Sequence, residues 1–221
     1  MPTSTVEDYL KCILLREQAS PSVRVSTGQI ATDLNVAPAT VTSMLKTLAG
    51  SGLVSYEPYS GVSLTEAGSQ LALHVLRRHR LVELFLVRVM GMDWSEVHEE
   101  AELLEHSVSE RIIQRMDEML GHPQVDPHGD PIPTAGGEVE QSDANSLLQC
   151  SLEERQRVVR VSDQRPEFLQ LVEREGLKPG RELTVLERDA SAERVLLDRD
   201  DREPLNLGFG AASKILVSPA R

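Results

Sequence analysis

Cysteine is scarce in this chain, with only Cys12 and Cys150 among 221 residues. The two lie far apart and lack the paired spacing of a zinc site, so a reduced protein without structural zinc is expected. Long apolar runs are missing as well, since even LVELFLVRVMGM is interrupted by Glu83 and Arg88, and no membrane span is expected. The start, MPTSTVEDYLK, has neither the basic flank nor the apolar core of a signal peptide, so a cytoplasmic location is expected. There is no Gly-rich phosphate loop, no nucleophile–base motif and no Glu-x-x-His, the element helical di-metal carboxylate enzymes need twice. The chain therefore reads as a non-enzyme. Positive charge is also short, 23 Lys and Arg against 35 Asp and Glu. A net charge of −12 excludes a general polyanion binder, so any nucleic-acid contact must be local or conditional.

Histidine and carboxylate are what the chain has instead. All six histidines fall between His74 and His128. The same segment, 71–151, holds six cationic residues against fifteen acidic ones, which is most of the chain's negative surplus. Crowded carboxylates and imidazoles repel unless a cation gathers them, so the concentration suggests metal ligation. His79 and Glu83 are one helical turn apart, and His98, Glu102, Glu105 and His106 follow at intervals of four, three and one. A single His–Glu pair at that spacing is more often a solvated salt bridge. Several pairs in one segment that holds every histidine point more specifically to a metal.

The order of elements supplies a context. TVEDYLKCILLREQ places Val6, Tyr9, Leu10, Ile13 and Leu14 on one helical face. Thr27 is expected to cap a short helix, and the break at Val36-Ala37-Pro38 leads into a third, with Val41, Met44, Leu45 and Leu48 inward. LVSYEPYSGVSLT reads as a two-stranded wing with Ser60 at its turn. This is the layout of a winged helix-turn-helix, whose second helix can enter a major groove. Ala37, Pro38, Ala39 and Thr40 would allow close approach to bases, Thr42, Ser43 and Lys46 could reach base edges or phosphates, and Thr27 and Ser60 complete the candidate DNA face. A helical pair with an idle polar face gives the same pattern. Two helices follow, one from Thr65 to about Met90 and one from about Ser95 to Leu120, too apolar to stand alone and suited to a dimer or an intrachain bundle. A Pro- and Gly-rich loop leads to a linker at 135–151, and short apolar runs at 158–161, 183–187, 194–198, 205–208 and 214–217, with one helix at 168–176, describe a small β-barrel.

The strings RRHRLVELFL, EVHEEAELLEH and DPHGDPIP, in this order after a winged helix, resemble the diphtheria toxin repressor family of metal-dependent transcriptional regulators, with its manganese branch. The resemblance covers 5–134 well and the C-terminal part more loosely. It implies a mainly α protein: a winged helix-turn-helix (1–70), a helical dimerisation and metal-binding domain (71–134), the linker, and an SH3-like, FeoA-like domain (152–221).

By position, the resemblance implies an activating site of Asp8, Glu102, Glu105 and His106, and a second site of His79, Glu83 and His98, completed from the third domain, where Asp163 fits best and Gln164 and Glu167 are the alternatives. Iron-responsive relatives carry Met at position 8 and Cys at 102. The carboxylates Asp8 and Glu102 here suit Mn(II), with Fe(II) as the alternative and two or more ions per chain. Lys11 replaces a carboxylate of the two-domain manganese regulators, which argues against their bridged pair of ions. The expected function is a manganese-dependent repressor, a homodimer on double-stranded operator DNA. An iron-dependent regulator and a metal-independent winged-helix protein are the alternatives.

Overall fold

A computed structural model describes residues 3–21, 23–140, 143–200 and 202–220. Gln141 and Ser142 of the expected linker lie outside the described residues, as do Met1, Pro2, Ser22, Asp201 and Arg221 at the expected outer domains. The chain divides into two compact units, Met1–His79 with Pro133–Glu138, and Arg80–Ile132 with Val139–Arg221. The boundary at 79/80 falls inside one long helix.

In the first unit, α1 (Ser4–Ala19) begins where Thr3 accepts a hydrogen bond from the Val6 amide. It buries Tyr9, Leu10, Ile13 and Leu14, as its spacing predicts. α2 (Thr27–Asp33) is capped by Ser26, not by Thr27 as expected. Ser26 Oγ accepts from Gln29 N at 3.2 Å, and Gln29 Oε1 accepts from Ser26 N at 2.9 Å, a reciprocal pair that satisfies two amides the helix leaves open. α3 (Pro38–Gly50) starts with Pro38, whose missing N–H costs nothing in a first turn. Val41, Leu45 and Leu48 pack inward. A hairpin follows, β1 (Val54–Glu57) with β2 (Gly61–Leu64).

α4 (Glu66–Arg88) begins with Thr65 Oγ1 accepting from the Gly68 amide. A full capping box would place Glu at Gly68, but a Cβ there would lie 1.9 Å from the Leu53 carbonyl oxygen, so close packing excludes it. Within this unit Arg78 Nη2 of α4 meets Glu7 Oε2 of α1 at 2.7 Å, an ion pair withdrawn from solvent.

The second unit holds the rest of α4, then α5 (Val97–Leu104) and α6 (Glu110–Met119). One helix was expected over 95–120, but it is interrupted at 105–109, where Ser109 is extended (φ −72°, ψ 153°). Leu81, Val82, Leu84, Val97, Ala101, Ile113 and Ile132 form a core there. Further on, β3 (Asn145–Ser146), β4 (Arg155–Val161), β5 (Glu182–Asp189), β6 (Arg194–Arg199), β7 (Arg202–Gly208) and β8 (Ile215–Pro219) make an antiparallel sheet in the order β3-β8-β4-β5-β6-β7. α7 (Pro166–Arg174) and α8 (Phe209–Ala212) accompany it. Val158, Val161, Val185, Val195, Leu197 and Val217 point into its core, joined by Trp94 from the α4–α5 connection. The stretch expected as linker is not all linker, since β3 pairs with β8 and both Leu147 and Cys150 are buried in this core. Among the described residues no helix is long and apolar enough to cross a membrane.

Candidate metal centre and nucleic-acid interface

Glu83 sits at the centre of the second unit's polar cluster. It projects from α4 and is wholly buried. Its Oε1 lies 3.1 Å from His98 Nδ1, and its Oε2 faces His128 Nδ1 at 3.9 Å. His98, at the start of α5, also lies 3.7 Å from Glu102 Oε1. His79 is buried one turn before Glu83 on α4.

Sequence reasoning missed Asp126 and His128. Both belong to the DPHGDPIP string, and both are buried. Ligand atoms of Glu83, Asp126 and His128 lie within 4.8 Å of one another. The loop fixes them from its own backbone, since Asp126 Oδ1 accepts from the amides of His128 at 2.8 Å and Asp130 at 2.9 Å. His128 Nε2 lies 2.8 Å from the Trp94 carbonyl oxygen. A carbonyl only accepts, so that nitrogen carries a proton, and Nδ1 is the ring atom turned to the cluster, a lone-pair donor in the neutral form of the ring. Nδ1 of His128 and Oδ2 of Asp126 are both buried without a hydrogen-bond partner. Burial first, then the neighbouring Asp130 and Glu83, pushes the Asp126 carboxyl well up from its ordinary value. Arg80 offers partial compensation, with Nε 3.7 Å from Asp126 and Nη2 3.6 Å from Asp130. Two buried carboxylates and one lone-pair imidazole nitrogen fit a divalent cation, and the oxygen-rich set suits a hard one.

The sheet secures this loop. Val161 N of β4 donates to the His128 carbonyl oxygen at 2.8 Å. Gly129 has φ +88°, and a Cβ there would lie 1.9 Å from the Val159 carbonyl oxygen. Arg160 pairs with Asp130, which also accepts from Gln164 Nε2 at 2.8 Å.

The remaining predicted ligands are placed differently. Glu105 closes α5 and is buried, with His106 Nε2 3.2 Å from its carboxylate. Glu102, half-buried, is on α5. Asp8, half-buried on α1, belongs to the first unit. Asp163 is engaged by two cations. Its Oδ2 accepts from Arg165 Nη2 and Lys214 Nζ, both at 2.7 Å, and it joins no cluster of close ligand atoms among the described residues. Arg165 first, with Lys214 after it, holds its carboxyl well below the usual range. Cys12 is buried in the first unit's core, and burial together with Asp33 pushes its thiol up to about 12, which keeps it protonated and unfit as a soft ligand.

On the first unit, Ala37, Pro38, Ala39, Thr40, Ser43, Lys46 and Ser60 are exposed, while Thr27 and Thr42 are half-buried. Thr42 Oγ1 donates to the Pro38 carbonyl at 3.0 Å, so its hydroxyl proton is already engaged. Between α2, α3 and the hairpin lies a groove of about 420 Å³ that includes Thr27, Thr42, Lys46 and Ser60.

Comparison with known proteins agrees with this division of labour. Residues 1–62 match the family described as iron dependent repressor, N-terminal DNA binding domain, and 65–134 its metal binding and dimerisation domain. Residues 145–219 match the FeoA domain. The HTH-type transcriptional regulator MntR of Lysinibacillus sphaericus is 36% identical over 120 residues, 54% of this chain and 84% of MntR. The iron-dependent repressor IdeR of Mycobacterium tuberculosis is 38% identical over 130 residues, 58% of this chain, and the chain spans 55% of IdeR's length. A solved manganese-dependent transcriptional repressor in complex with manganese superposes with a TM-score of 0.88 at 40% identity, covering 97% of this chain and all of that one.

Proposed function

Because the chain belongs to the iron-dependent repressor, or diphtheria toxin repressor, family, we propose that it is a manganese-dependent repressor whose metal ions prepare a dimer for operator DNA. The observation that carries the metal dependence is the buried pair of unsatisfied atoms, His128 Nδ1 and Asp126 Oδ2, beside Glu83. Buried polar atoms that make no hydrogen bond cost free energy that a bound cation would recover. One divalent ion is assigned to Glu83, Asp126 and His128, extended toward His79 and His98 across the Glu83 carboxylate. A second is assigned to Asp8, Glu102, Glu105 and His106. When bound, the metal supplies positive charge and a fixed geometry. Asp8 then ties the DNA-binding domain to the dimerisation domain, which limits the spacings two recognition helices can sample.

Carboxylates at positions 8 and 102 favour Mn(II) over softer-ligated metals. Fe(II) is the second reading, supported by the likeness to IdeR. The proposed domains are the winged helix at 1–70, the dimerisation and metal-binding helices at 71–134, and an SH3-like third domain, which carries the six-stranded sheet. The match of residues 65–134 to a metal binding and dimerisation domain supports self-association.

The test is a titration of metal-stripped protein against a duplex from its own promoter, with Mn(II), Fe(II) and no metal. Mn(II) should raise affinity by roughly 5–150-fold, the usual range of allosteric coupling, and Asp8→Ala should remove that gain. Equal binding with and without metal would overturn the proposal.

A further inference from the structure

The turn of the hairpin carries a residue that local geometry disfavours. Glu57 and Gly61 face each other across the ladder, so Pro58, Tyr59 and Ser60 make the connection. Ser60 N donates to the Glu57 carbonyl oxygen at 3.1 Å. With Pro58 at the first corner and Tyr59 at φ +68° at the second, the turn has the type II pattern, which favours glycine there. A tyrosine Cβ crowds the backbone in that conformation. Packing does not compensate, because Tyr59 has a relative exposure of 108%. Strain kept without burial points to a use for the exposed ring.

The same turn walls the groove beside the recognition helix. Tyr56, Tyr59 and Ser60 line it with hydroxyls, Lys46 adds an ammonium, and no carboxylate lines it among the described residues. That is unusual in a chain of net charge −12, and the chemistry is complementary to a phosphodiester.

We infer that this groove receives one strand of the DNA backbone and that Tyr59 holds it there, with the ring along a deoxyribose and the hydroxyl donating to a phosphate. The inference rests on the DNA-binding reading given above and adds a contact residue to it.

The experiment compares wild type, Tyr59→Gly and Tyr59→Phe of the full chain, Mn(II)-loaded, on a labelled promoter duplex and a random duplex, with thermal melts of each protein. Tyr59→Gly should melt higher, because glycine relaxes the turn, and bind both duplexes about 10-fold more weakly, since it removes the ring's contact with the sugar together with the hydroxyl's contact with the phosphate. Tyr59→Phe, which keeps the turn's backbone, should lose roughly 3-fold, the share of the hydroxyl. The promoter and random duplexes should suffer alike, since backbone contacts carry no base information. Binding by Tyr59→Gly within twofold of wild type overturns the inference, and a loss confined to the promoter duplex overturns the backbone assignment. A wild type that binds neither duplex with Mn(II) overturns the DNA-binding reading itself.

Discussion

Oε2 of Glu83 stands 3.9 Å from Nδ1 of His128, and both side chains are shut off from solvent. The separation is too long for a hydrogen bond, and Nε2 of the same ring is turned to the Trp94 carbonyl. With the ring neutral, the carboxylate and the imidazole lone pair converge as two acceptors, an arrangement that a shared proton or a cation would favour.

Replacing His128 with Ala should remove one metal equivalent from the protein. Metal content after equilibration with Mn(II) and dialysis reads this directly, and affinity at that site should fall by at least about 100-fold, beyond what loss of an outer-shell partner costs. Unchanged stoichiometry would detach His128 from metal binding.

Gly129→Ala should destabilise the second unit by about 2–3 kcal/mol, because the new methyl would meet the Val159 carbonyl oxygen and the backbone is left-handed there. Thermal unfolding checks it. Since His128 hangs from the same loop, Mn(II) affinity should drop too; a stable variant with full affinity would show that the sheet and loop need not touch so closely.

Asp163→Asn tests whether that carboxylate serves Arg165 and Lys214. Its pKa is depressed in the folded state, so the stability it contributes is fully present above the unfolded value of about 3.9 and is lost as pH falls through the folded one. The variant should be less stable by about 1–2 kcal/mol at pH 7, with the gap closing only in strong acid. A gap that appears only when Mn(II) is present would return Asp163 to the metal ligands.

Arg78→Ala should cost about 3–5 kcal/mol by removing the buried guanidinium that faces Glu7. The double change Glu7→Leu with Arg78→Met should cost less than Arg78→Ala alone, since the carboxylate is removed together with the guanidinium that faces it. Denaturant melts of the three proteins decide it; equal losses would mean that the pair acts through packing.

The helices of the first unit were legible because Tyr9, Leu10, Ile13 and Leu14, like Val41, Leu45 and Leu48, repeat at the helical period and are buried as that period requires. The break between α5 and α6 was not, because acidic and apolar residues continue through 105–109 and the only local sign is Ser107 and Ser109. Glu83 and His98 were readable from their spacing and do meet. Asp126 and His128 were not, because their approach to Glu83 joins positions some forty residues apart, and DPHGDP reads locally as a turn. The partners of Asp163 were not readable either, because Lys214, which pairs with it beside Arg165, lies some fifty residues further along the chain.

The sheet of the second unit ends at β3 and β7, and neither edge offers a template for another chain. β3 is two residues long. β7 opens with Arg202, Glu203 and Pro204, all exposed, so charge and a missing N–H interrupt its outer row of donors. Self-association through these edges is thereby discouraged, which guards the sheet against growing into fibres.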